Sequence, residues 1–373
     1  MEGLDKRAPF TATGGIIPPE FRNIKTPCYI LDEKALIKNA KLLGEVAERT
    51  GCKMLLAQKA FSNYDCYQFF EPYLAGTEAS GLFEARLGAE EMPEKEVHVF
   101  CAGYRADEFE ELLQYADHIV FNSPTQLLRF GPGAKEAGKS VGLRINPECS
   151  TQDGHEIYDP CAPGSRMGTT RAQWDEAFQK NPELLDLLDG LHFHTLCEQD
   201  SDDLETTLVF VKKHFGDLAS RVKWINFGGG HHITRPGYDI ERLERCIRMA
   251  KDEWKVEVYL EPGEAWALNA GFLLTRVLDV LKNGETEIAI VDASAACHMP
   301  DVLEMPYLPP LLGADDIEER GTTVRLGGPT CLSGDVIGDY KFRQFPEYGD
   351  LLMFGDMAIY TCLLYTSPSP RDA

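Results

Sequence analysis

Lys53–Lys59 reads KMLLAQK, a short apolar run that closes on a lysine, and the pattern it starts recurs along the chain as far as Glu261. Each repeat is a strand-like run, a turn, and then amphipathic helical spacing. The further runs are Gly76–Ser80 (GTEAS, the weakest), Glu96–Phe100 (EVHVF), His118–Asn122 (HIVFN), Val141–Asn146 (VGLRIN), Gly190–Thr195 (GLHFHT), Trp224–Gly228 (WINFG) and Glu257–Glu261 (EVYLE), which makes eight. Helical spacing lies between several of them. Phe109, Leu112, Leu113 and Ala116 form one such set; Leu204, Leu208, Val211 and Phe215 follow a capping Ser201; Ile240, Leu243, Ile247 and Ala250 follow Asp239. Eight strands alternating with helices over roughly 200 residues predict a (β/α)8 TIM-type barrel. A doubly wound open sheet is the alternative.

An earlier strand, Cys28–Asp32 (CYILD), falls outside this count. After Gly271 the segments FLLTRVLDVL, TEIAIVDAS, GTTVRLGG and DLLMFGD alternate with Gly/Pro turns and lose the helical period, so a mainly β C-terminal domain is expected. The predicted division is a barrel over residues 33–270 and a β domain from 1–32 with 271–362. The Ser/Pro-rich end, Leu363–Ala373 (LLYTSPSPRDA), does not continue the pattern and is expected to be a non-native or disordered tail.

The length of 373 residues, with 43% hydrophobic side chains, suits two domains with a sizeable core. Lys and Arg total 37 against 60 Asp and Glu, a net charge of −23 that repels nucleic acid and anionic membranes and favours cationic partners. The eleven cysteines include no CxxC pair, so reduced thiols are expected. No signal-peptide-like opening and no run of ~18 apolar residues appear, which places the expected location in the cytoplasm.

Barrel active sites lie where strands end at their C-terminal side. There stand Lys59, the pair His192 and His194, Asn226 with Gly228, Gly229 and Gly230, and Glu261 with Pro262-Gly263. Each alone has a plainer reading as a solvated lysine, a structural histidine or a turn. Together on one predicted face they form a constellation: a lysine able to condense with an aldehyde, bare backbone that admits a phosphate, a flat imidazole, and a carboxylate to keep a ring nitrogen protonated. Those are the needs of pyridoxal 5'-phosphate. A shared metal is not expected, because His192 and His194 are read as pointing to opposite faces of their strand.

The motifs TPCYILDEKAL, LLAQKAF, GLHFHTLCEQ, INFGGGHHIT, YLEPGEA, GPTCLSGDVIGDY and FGDMAIY, spread from Thr26 to Tyr360, resemble the fold type III pyridoxal-phosphate decarboxylases, of alanine racemase/ornithine decarboxylase-like architecture. The resemblance is strongest to their carboxynorspermidine (carboxyspermidine) decarboxylase branch. It implies that Lys59 carries the cofactor as a Schiff base, His194 stacks on its ring, Gly228 to Gly230 bind its phosphate and Glu261 pairs with its pyridine nitrogen. It further implies that Tyr360 reaches the cofactor from the β domain. Cys331 is implied to protonate the carbanion across a homodimer interface, so that active sites are shared.

Two departures bear on the substrate. Relatives acting on ornithine or diaminopimelate follow the barrel histidine with Gly-Ser, whereas Thr195-Leu196-Cys197-Glu198 stands here, and where they carry Arg after EPG this chain has Glu264. Losing a cation and gaining an anion suits a polycationic substrate. Glu264, Asp292 and Asp335 are the candidates to bind its ammonium groups. The competing readings are a decarboxylase of diaminopimelate or ornithine, a racemase, and a non-catalytic pyridoxal-phosphate-binding protein.

Overall fold

The structure is a computed structural model that describes residue 17 and residues 19–152, 159–312, 322–342 and 345–361; the tail expectation for Leu363–Ala373 lies outside them. Two compact units are present. One takes the described residues up to Leu36 and from Ala267 onward; the other is Ile37–Trp266.

The strands in chain order are β1 (Cys28–Leu31), β2 (Lys53–Ala57), β3 (Gly76–Ala79), β4 (Glu96–Phe100), β5 (His118–Phe121), β6 (Ser140–Arg144), β7 (Gly190–His192), β8 (Trp224–Asn226), β9 (Glu257–Leu260), β10 (Gly271–Asn283), β11 (Thr286–Val291), β12 (Leu311–Leu312), β13 (Thr322–Gly327), β14 (Val336–Phe342) and β15 (Leu351–Gly355). Within Ile37–Trp266, β2 to β9 form a closed barrel of parallel strands. Closure is made by β2 against β9, with Lys53 opposite Tyr259 and Met54 opposite Leu260, which rules out the open sheet.

Side chains along a strand alternate between its two faces, so every second residue enters the barrel. Leu55, Val120, Trp224 and Tyr259 meet there as an apolar cluster. Residues of the other parity pack outward, as Phe193 does on Phe227 with ring centroids 5.2 Å apart. This parity corrects the expected placement of the paired histidines. Positions i and i+2 share a face, so His192 and His194 both enter the barrel, on either side of the outward Phe193.

The indole of Trp224 is accommodated by glycine. A Cβ on Gly142 would stand 2.4 Å from the Trp224 ring and one on Gly190 2.0 Å from it, so β6 and β7 can flank the ring only without side chains. Its Nε1 donates to Ser140 Oγ at 2.8 Å. A polar cluster lies at the strands' N-terminal ends. Lys53 Nζ donates to Glu96 Oε1 at 2.6 Å and to the Tyr259 hydroxyl at 3.0 Å, and Glu96 Oε2 lies 3.0 Å from His98 Nε2. The His98 and His118 rings stack at 4.0 Å and 9°.

Helix boundaries follow local chemistry. The helix Ser201–Ala219 is capped by Asp200, whose side chain accepts from the Ser201 amide, so the cap falls one residue before the Ser201 expected. Asp239 caps Ile240–Trp254 as expected, accepting from the Arg242 amide.

The other unit is a seven-stranded sheet ordered β12-β15-β10-β11-β13-β14, with β1 joined to β10. The 13-residue β10 serves two sets of partners, and its register against β11 shifts between Val277 and Asp279. Its first half pairs with β1 and β15, and its second half with β11. The core of this unit gathers Leu273, Val277, Val291, Val324, Leu326, Tyr340 and Phe354.

Candidate active site

Six polar side chains converge at the C-terminal end of the barrel strands. Lys59 follows β2, Glu78 lies on β3, Arg144 ends β6, His192 ends β7, Asn226 ends β8, and Glu261 follows β9. His194 joins them two residues beyond β7.

Lys59 Nζ lies 3.1 Å from Glu78 Oε2. Glu78 is buried, while 24% of the Lys59 side chain remains accessible. Burial pushes the Glu78 carboxyl up, helped by the charges of Glu261 and Glu84 and opposed by Lys59, to about 7. Burial lowers the affinity of Lys59 for its proton, but Glu78 and Glu261 outweigh it and the ammonium is favoured.

Glu261 is held from two sides. His192 Nε2 stands 3.1 Å from Oε2, and Asn226 Nδ2 donates to Oε1 at 2.6 Å. Burial alone would raise this carboxyl, yet the His192 hydrogen bond and the Lys59 charge hold it well below the usual carboxylate range. His192 itself is kept neutral by burial, against the pull of Glu261. His194 is kept neutral by burial and then by the Arg144 and Lys59 charges, and its Nδ1 accepts from the Gly229 amide at 3.2 Å. The Arg144 guanidinium lies 4.5 Å over the Phe100 ring and donates to the His194 carbonyl at 3.2 Å. Phe100 in turn stacks on His192 at 5.5 Å.

The triple glycine leaves bare backbone beside this layer. Gly228 and Gly230 hold φ of 71° and 79°, and added Cβ atoms would meet the carbonyl oxygens of Phe193 at 2.4 Å and Leu196 at 2.0 Å. At Gly229 the obstacle is the Glu261 carbonyl at 2.7 Å. No other residue type fits that run. The Gly228 amide is already turned onto Asn226 Oδ1 at 2.8 Å. A lysine beside an acid, a neutral imidazole, a buried anion and a glycine cradle fit the aldehyde, ring, ring nitrogen and phosphate of pyridoxal phosphate.

The remaining sequence candidates have these surroundings. Glu264 Oε1 lies 3.3 Å from His232 Nε2; burial disfavours the imidazolium, but Glu264 outweighs burial and raises its affinity for a proton. The Thr195 hydroxyl is engaged with Thr207 Oγ1 at 3.1 Å. In the sheet unit Asp292 accepts from Thr26 Oγ1 at 2.6 Å, Thr275 Oγ1 at 2.5 Å and the Arg276 amide at 2.9 Å. Asp335 accepts from Ser294 Oγ at 3.0 Å, the Ala295 amide at 2.9 Å and Thr330 Oγ1 at 2.7 Å, and so ties down the loop between β13 and β14. Cys331 is exposed on that loop, and Tyr360 holds a positive φ of 47°.

Sequence reasoning left Glu78 and Arg144 out of the site and gave Asn226 and His192 no task there. The available signal was parity. Glu78 sits in the weakest strand, and Arg144 is the single charge in VGLRIN, yet both fall on inward positions at a strand's C-terminal end.

The profile of a pyridoxal-dependent decarboxylase with C-terminal sheet domain matches residues 28–358. A carboxynorspermidine/carboxyspermidine decarboxylase from Campylobacter jejuni is 40% identical over 358 residues, covering 93% of this chain and 91% of that protein. A carboxyaminopropylagmatine decarboxylase from Synechocystis is 38% identical, covering 94% and 88%. The crystal structure of a Campylobacter jejuni carboxynorspermidine decarboxylase complexed with norspermidine superposes with a TM-score of 0.80 at 39% identity, covering 91% of this chain and 89% of that one.

Proposed function

The chain belongs to the pyridoxal-dependent decarboxylases with a C-terminal sheet domain, and from that premise we propose that it removes the carboxylate of carboxynorspermidine or carboxyspermidine to leave norspermidine or spermidine. The observation that carries this reading is similarity at 40% identity over nine-tenths of both chains to a decarboxylase of those substrates. The anionic Glu264 at the EPG position supports it, since a polyamine brings cations.

Bound pyridoxal phosphate supplies the electron sink for the carbanion left when carbon dioxide departs. The chain's own residues do the rest. Lys59 would hold the cofactor's aldehyde through its Nζ. His194, neutral, presents a flat face to the ring. Glu261, held anionic, keeps a proton on the ring nitrogen. Gly228 to Gly230 admit the phosphate, with Tyr360 proposed to reach it. Cys331 Sγ–H is proposed to give its proton to Cα once the carboxylate is lost, the thiol being recharged from solvent.

We further propose a homodimer whose partner supplies Cys331. In support, Leu332, next to that thiol, is 58% exposed in a loop whose base Asp335 anchors, as a contact surface would be. No helix of the described residues is long and apolar enough to cross a membrane.

The Synechocystis relative favours a second reading, a carboxylated chain ending in a guanidinium in place of an amine. Trapping carbon dioxide from a panel of carboxynorspermidine, carboxyspermidine, carboxyaminopropylagmatine, diaminopimelate and ornithine separates these. Turnover of a carboxylated polyamine is expected; turnover of diaminopimelate alone would defeat the proposal.

A further inference from the structure

We propose that His192 is a positioning residue that acts through Glu261: as a neutral imidazole protonated at Nε2, it fixes the carboxylate that faces the cofactor's ring nitrogen and keeps it ionised. This rests on the reading of Glu261 as the partner of that nitrogen.

An ionised Glu261 admits one hydrogen-bond direction. Glu261 Oε2 is an acceptor, so the 3.1 Å contact requires the proton on His192 Nε2. Nδ1 then carries a lone pair, and that atom is buried without a hydrogen-bond partner. Protonating it would put a positive charge on a group 1% exposed, beneath the Arg144 guanidinium that caps Phe100. The imidazole is thus held in one tautomer. Its plane is fixed as well, because the Phe100 ring lies along it at 15° and 5.5 Å.

Asn226 completes the clamp on the other oxygen at 2.6 Å, and its own Oδ1 is tied to the Gly228 amide. Glu261 and Phe100 lie directly against His192, the charges of Arg144 and Lys59 oppose its protonation, and Glu261 alone among these four is an anion. A carboxylate with each oxygen already accepting one donor cannot rotate away, and its remaining lone pairs are left for one ring nitrogen. The arrangement parallels a metal-bound histidine oriented by a carboxylate, with the roles exchanged: here the histidine orients the carboxylate.

Two measurements test this. In the cofactor-free protein, 15N shifts of the histidine side chains, with His192→Gln identifying the signal, should report a neutral ring protonated at Nε2 between pH 6 and 8; protonation at Nδ1 overturns the proposal. This measurement does not depend on cofactor binding. After reconstitution with pyridoxal phosphate labelled at the ring nitrogen, His192→Leu should lose about 10- to 100-fold in kcat with KM changed by less than about twofold, and the ring-nitrogen signal should move toward neutral pyridine. His192→Gln, which keeps an N–H donor, should restore kcat to within about threefold. A Leu variant of native kcat with an unmoved ring signal, or a folded Gln variant as impaired as Leu, overturns the proposal. If Leu does not fold, the tautomer and the Gln variant decide. Failure of the reading beneath it has its own mark, a native protein that takes up no pyridoxal phosphate.

Discussion

Lys59 Nζ and Glu78 Oε2 stand 3.1 Å apart across two adjacent parallel strands, a lysine at the mouth of β2 facing an acid buried on β3. Burial raises the Glu78 carboxyl to about 7, so its charge changes near neutral pH. Above that value the ionised acid holds the lysine in place; below it the pair loses its attraction. Activity should therefore fall as pH drops through about 7, and Glu78→Gln should flatten that acid limb while lowering the plateau. A pH profile of kcat/KM measures it, and an unaltered acid limb in the variant would show that Glu78 does not set that limb.

Lys59→Ala should abolish both turnover and the visible absorbance of lysine-bound cofactor. Spectra of the purified variant decide this directly. Undiminished turnover would be incompatible with the role given to Lys59.

The proposed homodimer makes a sharper test possible. Lys59→Ala and Cys331→Ala variants, each inactive as a pure dimer, should recover about a quarter of native activity when subunits are exchanged, because about half the dimers are mixed and each mixed dimer holds one intact site. Activity that stays at the level of the separate variants would show that Cys331 is not supplied by a partner.

Gly190→Ala places a methyl 2.0 Å from the Trp224 ring. Overpacking of this kind costs about 1–3 kcal/mol, and more where backbone must move. Thermal unfolding should show a clear drop in midpoint, and Trp224→Leu in the same chain should recover part of it by vacating the space.

The polar cluster at the barrel's N-terminal end predicts acid sensitivity. Burial, opposed by His98 and Lys53, leaves the Glu96 carboxyl lowered to about 2, and burial with the neighbouring His98 lowers His118 to about 3. Both folded-state values lie below the ordinary ones, so the unfolded chain binds more protons in between. The stability they contribute is complete above about pH 6.5 and is lost as pH falls, first through the His118 window and then, below about 4.5, through that of Glu96. Glu96→Gln should shrink the fall in unfolding midpoint between pH 5 and pH 3. An equal slope in native and variant proteins would contradict it.

Much of this molecule is legible in its sequence because the deciding signals are local. Eight short apolar runs at the spacing of strand and helix predict a barrel or an open doubly wound sheet, and the loss of helical period after Gly271 marks the sheet unit. Lys59, His194, the Gly228–Gly230 run and Glu261 stand out because strand ends expose them at one end of such a barrel. Three things needed the tertiary structure. Closure of β2 on β9 joins residues two hundred positions apart, which no local pattern reports. Glu78, Arg144 and Asn226 gain meaning from what lies across the barrel from them. The pairing of His192 with Glu261 depends on inward parity and on a carboxylate 69 residues away, and it decides which atom of the imidazole bears the proton. Sequence determines which side chains a strand sends inward; only the folded barrel sets the distances that make one of them a donor to another and fix its charge.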